Sequence, residues 1–288
     1  MAVADAEVAM TAARVLWSDA TTLPAEQQAS VVTVGTFDGV HRGHRRVIGQ
    51  TVDEARTLGA QAVALTWDRH PKSVVGGAVA PPLVTSIERK VELLAESGVD
   101  LVVVLRLDEA LRRWSPERFV RDVFAGGLQA RSIVVGSDWR FGYGAAGDVR
   151  LLAKLGSAHG FHVTAVDRGT AKSEAASSTL VRDALIRGDL AQAAALLGRP
   201  VEIEGRCPEM RSAGGVLSIP SEHACPPAGR YRARVRTAGL WAGCDVEVDA
   251  HSRIRLEFSD PAASLAQGAA AVTLQLTGAI ARLAAPLD

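Results

Sequence analysis

Residues 35–44 read GTFDGVHRGH, setting two histidines three positions apart among three glycines and an aspartate, directly behind the apolar run Val31–Val34. A β-branched run that breaks into glycines and then into helix-compatible sequence predicts a strand leading to a helix N-terminus. Such an end presents unpaired amides and about half a positive charge, which makes it an anion site. Gly35 and Gly39 permit tight or left-handed backbone, and Gly43 leaves no side chain where His44 begins the helix. His41 and His44, one turn apart, point to the same side, and Arg45 and Arg46 add charge. Imidazoles placed there can donate to polyphosphate oxygens and stabilise charge that builds during displacement at phosphorus. Two other chemistries fit the histidine pair, incidental surface residues or half of a zinc site. Neither explains the glycines, and no cysteine or further histidine stands at a metal-binding spacing, so no protein metal site is expected.

A second cluster lies far along the chain, in SSTLVR at 177–182. Ser178 and Thr179 are capping residue types, so their hydroxyls and the amides behind them form a second anion cradle. Arg182, one turn on, shares their face and can fork onto phosphate oxygens. In isolation the same residues read as a plain N-cap with a surface arginine.

The elements that must position these groups follow from the alternation of apolar runs with helical patterns. VVTVG, AVALTW, LVVVLRL, SIVVG and FHVTAVDR predict strands, and helical spacing over Arg45–Leu58, Ile87–Ser97, Pro116–Phe124 and Asp148–His159 predicts helices between them. That rhythm predicts an α/β, Rossmann-like domain with a parallel sheet, whose ligands bind beyond the carboxyl ends of the strands. GTFDGVHRGH, TWDRHP and GSDWRFG fall at those ends. Two short helices are then expected at 178–187 and 190–197. Past Pro200 the texture changes to brief alternating runs, VEIEG, YRARVRT, CDVEVDA, RIRLEF and VTLQLTG, which predict a small antiparallel β-barrel or sandwich. The expected division is a nucleotide-handling domain over 1–187, a helical linker over 188–199 and the barrel over 200–288.

Bulk composition limits the partners. The chain has 288 residues, 48% of them hydrophobic, with Lys plus Arg equal to Asp plus Glu at 32 each. No global field draws it toward nucleic acid or an anionic membrane. With no apolar stretch of about 20 residues and no signal-like N-terminus, a cytoplasmic protein is expected. Cys207, Cys225 and Cys244 match neither a metal knuckle nor a disulfide framework, so they read as reduced structural thiols. Oligomeric state is not legible.

GTFDGVHRGH resembles the signature of the bacterial bifunctional riboflavin kinase/FAD synthetase family, within the H-x-G-H nucleotidylyltransferases. TSIERKVELL and LDEALRRWSPERFV are similar to that family's connecting helices, VVGSDWRFGYGAAGD to its glycine-rich loop, and ASSTLVRDAL to its serine-serine-threonine-x-x-arginine helix start. The resemblance implies AMP transfer from ATP to the phosphate of FMN, with Mg2+, giving FAD and pyrophosphate. Carried over, it assigns His41, His44 and Arg182 to catalysis at the ATP phosphates. Gly35, Phe37, Asp38, Gly39, Gly43, Asp138, Ser178 and Thr179 become nucleotide contacts. Trp67, Arg69, His70, Pro71 and Phe141 become flavin contacts.

Two departures qualify this. The family's threonine-phenylalanine-x-proline-histidine-proline loop is here Thr66-Trp67-Asp68-Arg69-His70-Pro71, in which Arg69 either faces solvent or binds an anionic group of the acceptor. In the C-terminal part, Ser221-Glu222-His223 after Pro220 replace the family's threonine-alanine-asparagine run, and no segment remains for the usual catalytic glutamate. Loss of kinase activity is therefore expected, with Glu222 and Glu247 as solvated residues rather than bases. Transfer to another phosphorylated acceptor, transfer from CTP, and a non-catalytic flavin- or nucleotide-binding regulator are the alternatives.

Overall fold

A computed structural model of the chain describes residues 13–26, 28–75, 79–167, 176–208, 211, 214–237, 240–258 and 270–282. The expected alternation is present. In chain order it runs β1 (Arg14–Ser18), β2 (Ser30–Val34), α1 (Arg42–Leu58), β3 (Gln61–Trp67), α2 (Ile87–Ala95), β4 (Leu101–Leu105) and two short helices, α3 (Glu109–Arg112) and α4 (Pro116–Phe119). It continues through β5 (Ala130–Gly136), α5 (Val149–His159), β6 (His162–Val166), α6 (Ser178–Ile186) and α7 (Leu190–Leu197).

The six strands pair only in parallel, in the order β1-β4-β3-β2-β5-β6. The order reverses at β2, where ligand-binding loops gather in open sheets, and the chain leaves this strand into the histidine motif. β2 and β4 are buried along their whole length, as continuous apolar runs require. β1 lay outside the sequence expectation. As an edge strand paired only with β4, it leaves Val15 and Trp17 43% and 54% exposed, so it lacks the unbroken apolar run that marks the inner strands. The helix expected over 116–124 is α-helical only through Phe119 and then widens into a π-helix over Val120–Gly127.

The C-terminal runs form β7 (Val201–Cys207), β8 (Gly214–Leu217), β9 (Gly229–Thr237), β10 (Leu240–Val248), β11 (Ile254–Phe258) and β12 (Ala270–Arg282). They pair antiparallel in the order β7-β12-β9-β10-β11-β8. The sheet curls until its two ends meet, where the backbones of Arg206 and Ser218 exchange hydrogen bonds of 3.0 and 2.9 Å. This closure removes most of the open edge. Inside, Tyr231 is fully buried with Val235, Ile254 and Leu274, and its hydroxyl donates to the Pro227 carbonyl at 2.6 Å. The same core takes in Val181 and Leu185 of α6, Leu197 of α7, and Val84.

The chain packs as two compact units, one made of Met1–Gly35, Val47–Arg69 and Val91–Asp167, the other of Thr36–Arg46, His70–Lys90 and Arg168–Asp288. The histidine loop thus packs in the unit that contains the barrel. Among the described residues no helix is long and apolar enough to cross a membrane.

Candidate active site

α1 starts at Arg42, earlier than the periodicity indicates, and His41 caps it. The His44 backbone N–H donates to His41 Nδ1 at 3.3 Å. Nδ1 is then the acceptor nitrogen, so the proton of a neutral ring sits on Nε2, which becomes a donor. His41 is 1% exposed. The His44 ring stacks on it with centroids 3.6 Å apart and planes 18° apart, while Phe37 meets His44 edge-on at 5.2 Å. The two imidazoles therefore share one side of the first turn, as their spacing requires.

Close packing explains the glycine between them. A Cβ on Gly43 would stand 2.8 Å from the Ala176 carbonyl oxygen and 3.1 Å from His41 Cε1. Gly39 has φ +80, and a Cβ there would lie 2.9 Å from Val84 Cγ1. Val40 also holds a positive φ, 36°. That backbone costs a β-branched residue about 1–3 kcal/mol, so surrounding contacts must fix it. Three do so. The Val40 N–H donates to the Phe37 carbonyl at 3.0 Å, the Gly39 N–H donates to Thr85 Oγ1 at 3.2 Å, and Arg199 Nη1 donates to the Gly39 and Val40 carbonyls at 2.8 and 3.4 Å.

Asp38 ties this loop to α6. It is 3% exposed. Its Oδ1 accepts from the Val84 and Thr85 N–H groups at 2.8 and 3.3 Å, its Oδ2 accepts from Arg182 Nη2 at 3.1 Å, and its carbonyl accepts from the Ser178 hydroxyl at 2.8 Å. Both carboxylate oxygens are thus engaged by protein groups, so Asp38 acts in this structure as a clasp. The α6 cap also differs from the sequence expectation. Ser177 Oγ, not Ser178 or Thr179, accepts from the Leu180 N–H at 3.2 Å, and Thr179 is exposed. Arg182 is 8% exposed, and its buried Nε has no hydrogen-bond partner among the described residues.

His70 and Lys90 belong to the same unit. His70 Nδ1 accepts from the Lys72 N–H at 3.1 Å, and buried Lys90 donates from Nζ to the Thr36 carbonyl at 3.2 Å. Burial holds the His70 imidazole below the usual histidine range. Asp38 pulls upward, while Arg182, Lys72 and Lys90 push down. His70 therefore lies within electrostatic reach of the Asp38–Arg182 pair. Pro71 opens the short 3-10 helix that follows.

The remaining candidates lie in the other unit. The Trp67 ring stands 5.9 Å from Phe119, and Phe141 stands 6.5 Å from Phe119 and stacks on Trp139 at 4.6 Å. Arg69 has its side chain 52% exposed and ion-paired to Asp68 at 2.8 Å. The Gly35 N–H donates to the Leu65 carbonyl at 3.1 Å, and Asp138 lies on an exposed turn after β5.

Sequence reasoning missed Thr85, Lys90, Arg199 and Glu202. Thr85 and Lys90 were visible only as parts of a helical segment, and Arg199 as part of a linker turn. Glu202 was visible only as part of the alternating run VEIEG, yet it is 8% exposed and accepts from Arg89 Nε at 2.9 Å. Its partner sits 113 positions away, so no local spacing announces the pair. Among the described residues no group of three or more His, Cys, Asp or Glu could hold a metal.

The FAD synthetase family model matches residues 23–180. The chain is 34% identical over 197 residues to a bifunctional riboflavin kinase/FMN adenylyltransferase of Escherichia coli, covering 68% of this chain and 63% of that protein, so it spans less than two thirds of that relative's length. A protein of the same description from Listeria monocytogenes is 34% identical over 217 residues, covering 73% of this chain and 68% of its own length, and one from Bacillus subtilis is 30% identical over 227. A crystal structure described as a macrolide-efflux protein from Streptococcus pneumoniae superposes with a TM-score of 0.81 over 96% of this chain and 93% of its own, at 18% identity, a likeness of fold alone. With the family model matched over more than half its length, around the loop that holds His41 and His44, the chain belongs to the FAD synthetase family.

Proposed function

We propose that this protein transfers the AMP part of ATP to FMN, giving FAD and pyrophosphate. The observation that carries this is the donor cluster at the start of α1: a buried His41 with its tautomer fixed by the His44 amide, His44 stacked on it, and Arg182 held by Asp38 in the same unit.

The FMN phosphate, with a second pKa near 6, is largely dianionic at neutral pH, so its oxygen attacks the α-phosphorus of ATP without a general base. The new P–O bond forms as the bond from the α-phosphorus to the bridging oxygen breaks, and the electron pair leaves with pyrophosphate. His41 Nε2–H, His44 and Arg182 stabilise charge on the phosphate oxygens during that shift, aided by the amides of the α1 N-terminus. Gly39 and Gly43 keep the backbone close, and Asp38, Ser178 and Thr85 set the loop. Because these groups do not move a proton at the reacting centre, positioning and charge stabilisation are the main contributions.

Magnesium is implied by the family. Among the described residues no group of three or more His, Cys, Asp or Glu could hold it, and when bound with the nucleotide it would supply charge neutralisation at the phosphates. No step above runs through it. On the acceptor side, Trp67, Arg69, His70, Pro71 and Phe141 are the proposed flavin contacts. An FMN affinity unchanged in Arg69→Ala would remove Arg69 from that set.

The proposed division assigns adenylyl transfer to residues 1–187 and a shortened, kinase-inactive barrel to 200–288. Supporting the second assignment, the segment in place of the kinase's nucleotide-binding run is occupied by backbone pairing. The Leu83 N–H donates to the Glu222 carbonyl at 2.7 Å and the Ala224 N–H to the Leu83 carbonyl at 2.8 Å.

The test is to incubate the chain with magnesium, each nucleoside triphosphate in turn, and FMN, riboflavin or other phosphorylated acceptors, measuring pyrophosphate and product mass. FAD from ATP and FMN is expected. Failure to release pyrophosphate with any FMN mixture overturns the proposal, and a cytidylyl product reassigns the nucleotide.

A further inference from the structure

The strained loop that carries His41 is braced from the barrel. α7 ends at Gly198, in the left-handed conformation, and the next residue, Arg199, reaches back to the Gly39 and Val40 carbonyls at 2.8 and 3.4 Å. Its side chain is 11% exposed, and its Nε lies 3.7 Å from Glu202 Oε2 on β7. Glu202 is itself locked in place, since Arg89 Nε donates to Oε2 and Gln275 Nε2 of β12 donates to Oε1, both at 2.9 Å. Burial alone would raise the Glu202 carboxyl, but the hydrogen bonds from Arg89 and Gln275 and the charges of Arg89 and Arg199 hold it below the ordinary range. A charged carboxylate fixed by two barrel strands thus anchors the guanidinium that holds two successive loop carbonyls, immediately before His41.

We propose that Arg199, anchored by Glu202, is a positioning residue for adenylyl transfer: the barrel's first strand fixes the backbone of residues 39–40 and through it the His41 ring. This rests on the function proposed above and adds to it a reason for the chain to keep a barrel that lacks the kinase motif. Displacing a reacting group by about 1 Å can cost on the order of a hundred-fold in rate even when the altered residue touches no substrate.

The experiment uses the full chain with Arg199→Ala, Arg199→Lys and Glu202→Gln. It combines kcat and KM for ATP and FMN, hydrogen exchange of the 37–44 amides, and addition of free guanidinium ion. Arg199→Ala is expected to lower kcat by about ten- to a hundred-fold with the KM for FMN little changed, to speed exchange at 37–44 but not in β2, and to regain rate with guanidinium. Arg199→Lys and Glu202→Gln should fall between it and wild type. General destabilisation would spread exchange beyond the loop and would not respond to guanidinium. An Arg199→Ala chain with wild-type kcat and wild-type exchange at 37–44 overturns the proposal while leaving adenylyl transfer intact. A wild-type chain that makes no FAD, but whose loop still loosens in Arg199→Ala, retains the brace and overturns the reaction instead. Should Arg199→Ala fail to fold, Arg199→Lys and Glu202→Gln decide on the same readings.

Discussion

Two turns of one unit, Thr36–Arg46 and Pro220–Ala224, grip the same short stretch, Leu83–Thr85, by opposite means. The first uses a buried side chain, since Asp38 accepts from the Val84 and Thr85 amides. The second uses main chain only, through the Leu83 bonds to Glu222 and Ala224. In the first, binding through Asp38 leaves the loop's two histidines, His41 and His44, gathered as one stacked pair. In the second the backbone does the docking, and the side chains of Ser221 and Glu222 face solvent. A turn becomes a site when a buried polar side chain fixes its backbone and the rest of its side chains converge, while similar docking without convergence yields only a joint.

The largest expected effect comes from breaking the first grip. Asp38→Ala leaves Arg182 buried without its carboxylate and two amides without an acceptor, and removing one member of a buried pair costs about 3–5 kcal/mol. Urea denaturation measures it, and Asp38→Asn, which keeps an acceptor for the amides, should lose less. If Asp38→Ala proved no more harmful than a surface change, the clasp would be no different in kind from the second turn.

Next comes convergence itself. His41→Ala and His44→Ala each remove a donor aimed at developing charge, with an expected loss of about 2.7–4 kcal/mol of transition-state stabilisation, a kcat drop of roughly a hundred- to a thousand-fold. His44 is the cleaner probe, because His41 also caps α1 and its loss should cost about 1 kcal/mol of stability as well. Pyrophosphate release measures the first effect and thermal melting the second.

The two turns were unequally legible in the sequence. GTFDGVHRGH announced itself because its chemistry is local: glycine, histidine and helix start fall within one decapeptide, and the i, i+3 spacing alone places both rings on one side. The parallel sheet was legible for the same reason, since buried strands such as LVVVL carry their signal in themselves. What stayed hidden was long-range. Asp38 reads from sequence only as a ligand contact, while its protein partners Val84, Thr85 and Arg182 lie far along the chain, and Arg199 and Glu202 read only as parts of a linker and an alternating run because their partners are distant in sequence. β1 escaped because an edge strand needs only one apolar face, and the α6 cap was misplaced by one because three consecutive residues, Ser177, Ser178 and Thr179, are all competent caps.

Acidification should sharpen the comparison further. Burial holds both His70, near the first turn, and His223, in the second, below the ordinary histidine range, against upward pulls on His223 from Glu222, Asp38 and Glu88. A histidine whose folded pKa is depressed takes up its proton more readily when unfolded, so its contribution is intact above the unfolded value and stability falls as the pH drops below about 6.5. Glu204, raised by burial despite its bonds with Ser86, works in the opposite direction and gains stability on protonation. Melting from about pH 7.5 to about pH 5.5 should therefore show a net loss that is shallower in His70→Gln and in His223→Gln, and no shallower in Glu204→Gln. A flat profile in all four proteins would mean that neither turn is buried enough in solution to bias its histidine.

The smallest effect is expected at the second turn's own side chains. Ser221→Ala and Glu222→Ala remove groups that face water while leaving intact the backbone bonds to Leu83, so stability should move by no more than about 0.5 kcal/mol and FAD formation should not change. In the same assay riboflavin with ATP and magnesium should give no FMN in wild type or either variant. The reason is geometric. A kinase site needs convergent side chains around a phosphate, and here the carbonyl of Glu222 and the amide of Ala224 are committed to Leu83 while the side chains of Ser221 and Glu222 face solvent. Magnesium-dependent FMN formation that disappears in Glu222→Ala would place a working base on this turn and erase the distinction between the two.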